Sequence, residues 1–115
     1  MMICQIEFAT PEYDEAIALR YEVLRRPLGL EFTPEQLASE WDNLHIAAFN
    51  DAGHMTGYLN LTPVNQAEVK MRQGAVMPSE QGNGIGAALV ASSETCANQL
   101  TFKIVAPPQA AYIQH

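Results

Sequence analysis

The chain has 115 residues, enough for one domain spanning 1–115 and too few for two. At 48% hydrophobic residues it should pack a core, and no apolar run approaches the ~20 residues of a membrane helix. Six basic residues against 13 acidic ones give a net charge of −7, and the basic ones are scattered, so neither nucleic acid nor a membrane is an expected partner. The start, Met-Met-Ile-Cys-Gln-Ile-Glu-Phe, lacks the basic and long apolar parts of a secretory signal, so the expected compartment is the cytoplasm. There Cys4 and Cys96 should be reduced, buried as small apolar side chains. The acidity suits an amine-bearing substrate, and equally an ordinary soluble surface.

Met2 to Phe8 alternates in part and reads as a first strand. Thr10-Pro11 starts a helix, with an N-cap hydroxyl and proline at the first helical position. Tyr13, Ile17, Tyr21, Leu24 and Leu28 form its predicted apolar stripe, which leaves Arg20, Glu22, Arg25 and Arg26 on a solvated face. Thr33-Pro34-Glu35-Gln36 is a second start with a capping box, and Leu37 and Trp41 should cover an edge of the core, the alternative for Trp41 being the wall of a substrate groove. Leu44–Phe49 and Met55–Leu61 read as a hairpin about Asn50-Asp51-Ala52-Gly53, followed by a third strand, Ala67–Val76. Unbroken alternation along that strand puts Glu68, Lys70, Arg72, Gly74 and Val76 on one face. Gly74 is costly there unless it makes a bulge. A helix from Ala87 to about Leu100, buried through Ile85, Leu89, Ser92, Cys96 and Leu100, leads to a strand over Phe102–Ala106. A right-handed crossover would pair that strand in parallel with the one before the helix.

Between strand and helix lies Gln81-Gly82-Asn83-Gly84-Ile85-Gly86. A glycine-rich turn entering a helix leaves backbone N–H groups free for phosphate oxygens. A Walker A loop is excluded, because no lysine follows the glycines. Gly82-x-Gly84-x-x-Ala87 matches the loose dinucleotide fingerprint, but no acid follows near Phe102–Pro107 for a ribose, and a hairpin meander precedes the loop.

The unbroken run Pro78-Ser79-Glu80-Gln81-Gly82-Asn83-Gly84-Ile85-Gly86, after a strand ending Gln73-Gly74-Ala75-Val76-Met77, resembles the acetyl-CoA site of the GNAT superfamily of N-acetyltransferases. That family's pattern is Gln/Arg-x-x-Gly-x-Gly/Ala. Its element order also matches, over about residues 1 to 106, and Tyr21 to Gly29 looks like a first-helix exit found in one group of the family. The resemblance implies an α+β fold (in the wider sense α/β) of order β-α-α-β-β-β-α-β, with a mixed, mostly antiparallel sheet and flanking helices. It implies acetyl-CoA or CoA as co-substrate, without a metal, and acyl transfer to a primary amine of a small molecule or peptide. Gln81, Gly82, Asn83, Gly84, Ile85 and Gly86 would hold the pyrophosphate. Ala75, Val76 and Met77 would hydrogen-bond the pantetheine arm, and the Val76 N–H would polarise the thioester carbonyl.

Such chemistry also wants a base for the amine and an acid for the leaving thiolate. Glu68 is the one carboxylate on the strand of Val76, roughly 25 Å along it. His45 and Tyr58 lie on neighbouring strands, where ordinary core or surface roles are expected. The family's acid is a tyrosine in an Ala-x-x-x-Ala-x-x-Phe-Tyr pattern of a later helix. Placing Ala106 and Ala110 on its alanines puts Ile113 and Gln114 at Phe-Tyr, with Tyr112 two residues early and Pro107-Pro108 against helix formation. The usual C-terminal helix and strands are therefore expected to be lacking, leaving the last strand with an open edge and favouring a homodimer. Two further readings stay open beside the enzyme: a CoA-binding module without catalysis, and a domain that uses the fold alone.

Overall fold

The structure is a computed structural model and describes residues 1–105. Five strands form one sheet in the order β1-β2-β3-β4-β5: β1 is Met2–Ile6, β2 Leu44–Phe49, β3 Met55–Pro63, β4 Glu68–Val76 and β5 Lys103–Ile104. The first four pair antiparallel, and β5 pairs parallel with the start of β4. Helix α1 (Pro11–Arg20) packs on one face of the sheet and α3 (Ile85–Gln99) on the other, while the short α2 (Pro34–Ala38) precedes β2. The α3 side gathers Ile46, Leu59, Leu61, Val69, Met71 and Val76 beneath Ile85 and Leu89. The α1 side gathers Ile6, Ala47, Phe49, Met55 and Tyr58 against Ala16 and Leu19. This is the predicted α+β order.

Local signals set the helix starts. Thr10 Oγ1 accepts from the Tyr13 N–H at 3.3 Å, with Pro11 in the first turn. Thr33 and Gln36 close both halves of the capping box, at 2.8 and 3.1 Å. The apolar stripe of α1 is corrected. Tyr13, Ala16, Leu19 and Arg20 are buried, Ile17, Tyr21 and Leu24 only partly, and Leu28 is exposed. Arg20, expected in solvent, is fully buried because Glu40 neutralises it. A wide π turn over Tyr21–Arg25 and a 3-10 turn to Leu28 carry the chain off α1, ended by Gly29 at φ +68°. Trp41 also departs from expectation: it sits in a 3-10 turn, Ser39–Asp42, and is 70% exposed.

Helix α3 starts at Ile85 and buries Ile85, Leu89, Ser93 and Ala97, each four residues on. Ser92 and Cys96 flank that stripe, Leu100 is exposed, and Cys4, like Cys96, is only partly buried. Gly57 lets α3 come close to β3: a Cβ there would meet Ile85 Cγ2 at 2.8 Å and Leu89 Cδ1 at 2.9 Å. Strand β5 is shorter than predicted. Lys103 and Ile104 lie beside Glu68 and Val69, and among the described residues no strand flanks that side of β4 beyond this point. Tyr112 and Pro107-Pro108 lie outside the described residues.

Candidate active site

Gly74 falls within a bulge. Tyr58 pairs with Ala75 and Asn60 with Arg72, so Leu59 alone faces both Gln73 and Gly74. Gln73 takes the left-handed conformation, φ +57°. The extra residue shifts the alternation of β4 by one. Val76 therefore joins Val69 and Met71 on the α3 side, and does not share a face with Glu68 as unbroken alternation predicts. Glu68 stands at the opposite end of β4 with its carboxylate 2.7 Å from Asn65 Nδ2. The strand thus brings Ala75, Val76 and Met77 together and leaves Glu68 apart from them.

The register fixes where the backbone of Val76 points. The Met77 N–H donates to Thr56 O at 2.9 Å, beside the Gly57–Val76 pair. Backbone groups alternate sides along an antiparallel ladder, so the N–H and C=O of Val76 face away from β3, toward the open edge. Gln81 Nε2 donates to that C=O at 3.3 Å, which leaves the N–H at the edge. The chain then makes a 3-10 turn over Pro78–Glu80 and passes through Gly82 and Gly84, at φ +87° and +81°. A Cβ added at either glycine would meet nothing within 4 Å. Gly84 is the N-cap of α3 and no side chain caps the helix. The first intrahelical bond runs from the Ala88 N–H to Gly84 O at 3.0 Å, so the N–H groups of Ile85, Gly86 and Ala87 stand unbonded at the positive end of the helix dipole. An open glycine cradle with unbonded donors fits a pyrophosphate, and the free edge of β4 beside it fits an extended amide-bearing arm.

On the α1 side of β2 and β3 lies a buried polar network. Arg20 grips Glu40 through two hydrogen bonds, 2.8 and 2.6 Å, and the Tyr13 hydroxyl donates to Glu40 Oε1 at 2.7 Å. Burial pushes the Glu40 carboxyl up, but Arg20 and the Tyr13 hydroxyl more than offset this and hold it below the usual carboxylate range. His45 Nε2 lies 3.1 Å from Glu40 O, a carbonyl that can only accept, so Nε2 carries the proton. Nδ1 then accepts from the Tyr58 hydroxyl at 2.6 Å. Burial lowers the His45 pKa and raises that of Tyr58, so both are neutral. Both have core roles here.

The network backs a cavity of about 390 Å³ lined by residues from the α1 exit, the turns before β2, and strands β3 and β4, including Gln73 of the bulge. Within its wall Asn43 Nδ2 donates to Thr62 Oγ1 at 3.0 Å, and Thr62 donates to Asn60 Oδ1 at 3.1 Å. Periodicity does not single these residues out. The sequence signal is a buried asparagine, Asn60, inside the apolar run Met55–Leu61. A larger hollow of about 840 Å³ lies elsewhere, against β1 and the start of α1.

No curated protein sequence matches the chain. Solved structures do. An aminoglycoside 6'-N-acetyltransferase complexed with coenzyme A aligns at a TM-score of 0.71 and 19% identity, over 87% of this chain and 57% of that one. An acyl-CoA N-acyltransferase from Pseudomonas aeruginosa aligns at 0.72 and 24%, over 86% and 71%. Rv2747 from Mycobacterium tuberculosis, in complex with CoA and NLQ, aligns at 0.69 and 19%, over 90% and 62%. The chain therefore spans little more than half the length of the first of these. At such identities the likeness shows the fold. The model of the acetyltransferase (GNAT) family matches residues 6–110, nearly the whole sequence. By that match, with the fold and the glycine cradle, the chain belongs to the GNAT acetyltransferase family.

Proposed function

We propose that this chain transfers an acetyl group from acetyl-CoA to a primary amine of a small molecule or peptide. The observation that carries the reading is the Val76 N–H, turned to the open edge of β4 at the point where the strand enters the glycine cradle. The thioester supplies an activated acyl carbon, to which the amine nitrogen bonds as the C–S bond breaks and the thiol leaves with the proton that the amine gives up. The chain's own part is positioning and electrostatics. Gly82 to Gly86 and the first turn of α3 would hold the pyrophosphate, Ala75 to Met77 the pantetheine arm, and the Val76 N–H would bond the carbonyl oxygen as it gains charge. Glu68 has no part, because it lies at the other end of the strand.

A second reading, CoA binding without turnover, is favoured by one observation. Tyr58, the tyrosine paired across from Ala75, has its hydroxyl engaged by His45. Two measurements separate the readings. Calorimetric titration with acetyl-CoA should show one saturable site, and thiol release should then depend on added amine. Absence of any titration heat or shift would refute both readings, and binding without amine-dependent thiol would leave only the second.

A further inference from the structure

The cavity behind the bulge is unusual in what it leaves unpaired. Six buried side-chain polar atoms among the described residues lack a partner, and four of them belong to residues lining this one hollow: Arg25 Nε, Asn43 Oδ1, Asn60 Nδ2 and Gln73 Oε1. Asn60 is only 1% exposed and its amide lies near the Tyr58 hydroxyl without a well-formed bond to it, so its N–H carries a desolvation cost unless something binds it. The Asn43–Thr62–Asn60 chain fixes the polarity of its two ends, one donor and one acceptor. Turning both amides over would exchange the ends and leave one of each.

The four idle atoms form a set of two donors, Arg25 Nε and Asn60 Nδ2, and two acceptors, Asn43 Oδ1 and Gln73 Oε1. Charge sharpens this. The protein has six basic residues and a net charge of −7, yet Arg25 and Arg72 both line the cavity. The facing carboxylates are Asp42 and Glu40, and Glu40 is already paired with Arg20. Arg25 is braced by the Phe32 ring, 4.5 Å from its guanidinium carbon. Two cations, Arg25 with its idle Nε and Arg72, together with the Asn60 N–H call for a carboxylate, and the two acceptors call for an amine.

We propose that this cavity is the acceptor subsite and takes a small amine that carries its own carboxylate, an amino acid. The carboxylate sits against Arg25 and Asn60 with Arg72 at the mouth, and the amine sits against Asn43 and Gln73. Gln73 places the amine on the strand that ends at Val76. Its strained φ of +57° is then the means by which the bulge turns an acceptor into the cavity. The role as acceptor subsite rests on the transferase reading. The match to an amino acid rests on the cavity alone.

The test pairs each amino acid with the amine left when its carboxylate is removed, such as lysine with cadaverine and phenylalanine with phenethylamine. In the ¹⁵N-labelled chain, at least one amino acid should shift the side-chain amide resonances of Asn43, Asn60 and Gln73, and its decarboxylated partner should not. In thiol-release assays that amino acid should have a KM at least about tenfold below its partner's, the worth of one charge-assisted hydrogen bond. Arg25→Gln should erase the preference. Arg72→Gln, at an exposed position that folding tolerates, should reduce it severalfold, and neither should change acetyl-CoA affinity. The proposal is overturned if partner amines shift the resonances and react as well as the amino acids. It is equally overturned if no amino acid shifts them, or if both variants keep the preference. Acetyl-CoA binding without amino-acid shifts would sink the cavity's role and leave the transferase reading standing. Amino-acid shifts without acetyl-CoA binding would leave the amino-acid match standing and sink the transferase reading, and with it the cavity's role as acceptor subsite.

Discussion

Gly84 and Val76 make separable demands on single residues. Gly84 holds φ +81° at the mouth of α3, with open space where a side chain would stand. Gly84→Ala should fold, with a loss of about 1–2 kcal/mol for an L residue in the left-handed region. Its methyl group would stand where phosphate must approach the backbone, so acetyl-CoA should bind about tenfold or more weakly, as when one charge-assisted hydrogen bond is lost. Titration of the folded variant checks this, and wild-type affinity would remove the loop from the site. Val76 is the complementary case. Its N–H bonds nothing in β3, so Val76→Pro removes a donor without removing a ladder bond. The rate constant at saturating substrates should fall about 10²- to 10³-fold, the effect of deleting one oxyanion donor, while acetyl-CoA affinity changes little. An unaltered rate would assign the carbonyl's partner elsewhere.

Between elements, the Arg20–Glu40 pair ties α1 to the turn that leads into β2. Arg20→Met would leave Glu40 buried and uncompensated, at a cost of about 3–5 kcal/mol. Adding Glu40→Leu should recover most of that loss, because Arg20 Nε is itself unpaired and the ion pair is imperfectly satisfied. Urea unfolding of the two variants checks both signs. The same network sets an acid limit. His45 and Glu40 both have folded pKa values below their unfolded ones, so each contributes stability above its unfolded pKa and loses it as pH falls. The urea midpoint should begin to fall below about pH 6.5, from His45, and fall more steeply below about pH 4.5, from Glu40. His45→Gln should abolish the first decline, and a midpoint flat down to pH 5 would contradict the assignment. These elements also show what a sequence yields. The starts at Thr10 and Thr33 and the hairpin are legible because caps and turns are local chemistry. Arg20 is misread because its partner lies 20 residues away, and periodicity counts every arginine as outward. The bulge is signalled by Gly74, but the phase shift it imposes on Val76 depends on pairing with β3.

At the scale of the molecule, the glycine cradle was legible as a contiguous motif, whereas the polar cavity was not, because residues from four separate segments build it. The same whole-chain view raises the state of the sheet's edges. Among the described residues β4 has no neighbour beyond Val69 on the side away from β3, and β1 forms the opposite edge. Open edges favour pairing with another chain, so we expect a homodimer, and light scattering that gives a monomer mass at high concentration would refute it. The edge at Val76 is also where the transferase reading seats the pantetheine arm, so the co-substrate should act on the stability of the whole domain. A ligand at a hundredfold its dissociation constant stabilises the folded state by about 2.7 kcal/mol, which for a domain of this size is a rise in melting temperature on the order of 10 °C. A thermal scan with acetyl-CoA should show that rise in the wild type and much less of it in Gly84→Ala. An equal rise in both would mean that the ligand stabilises the domain from a site other than the cradle, and no rise in the wild type would mean that the edge and the cradle do not act together on one molecule.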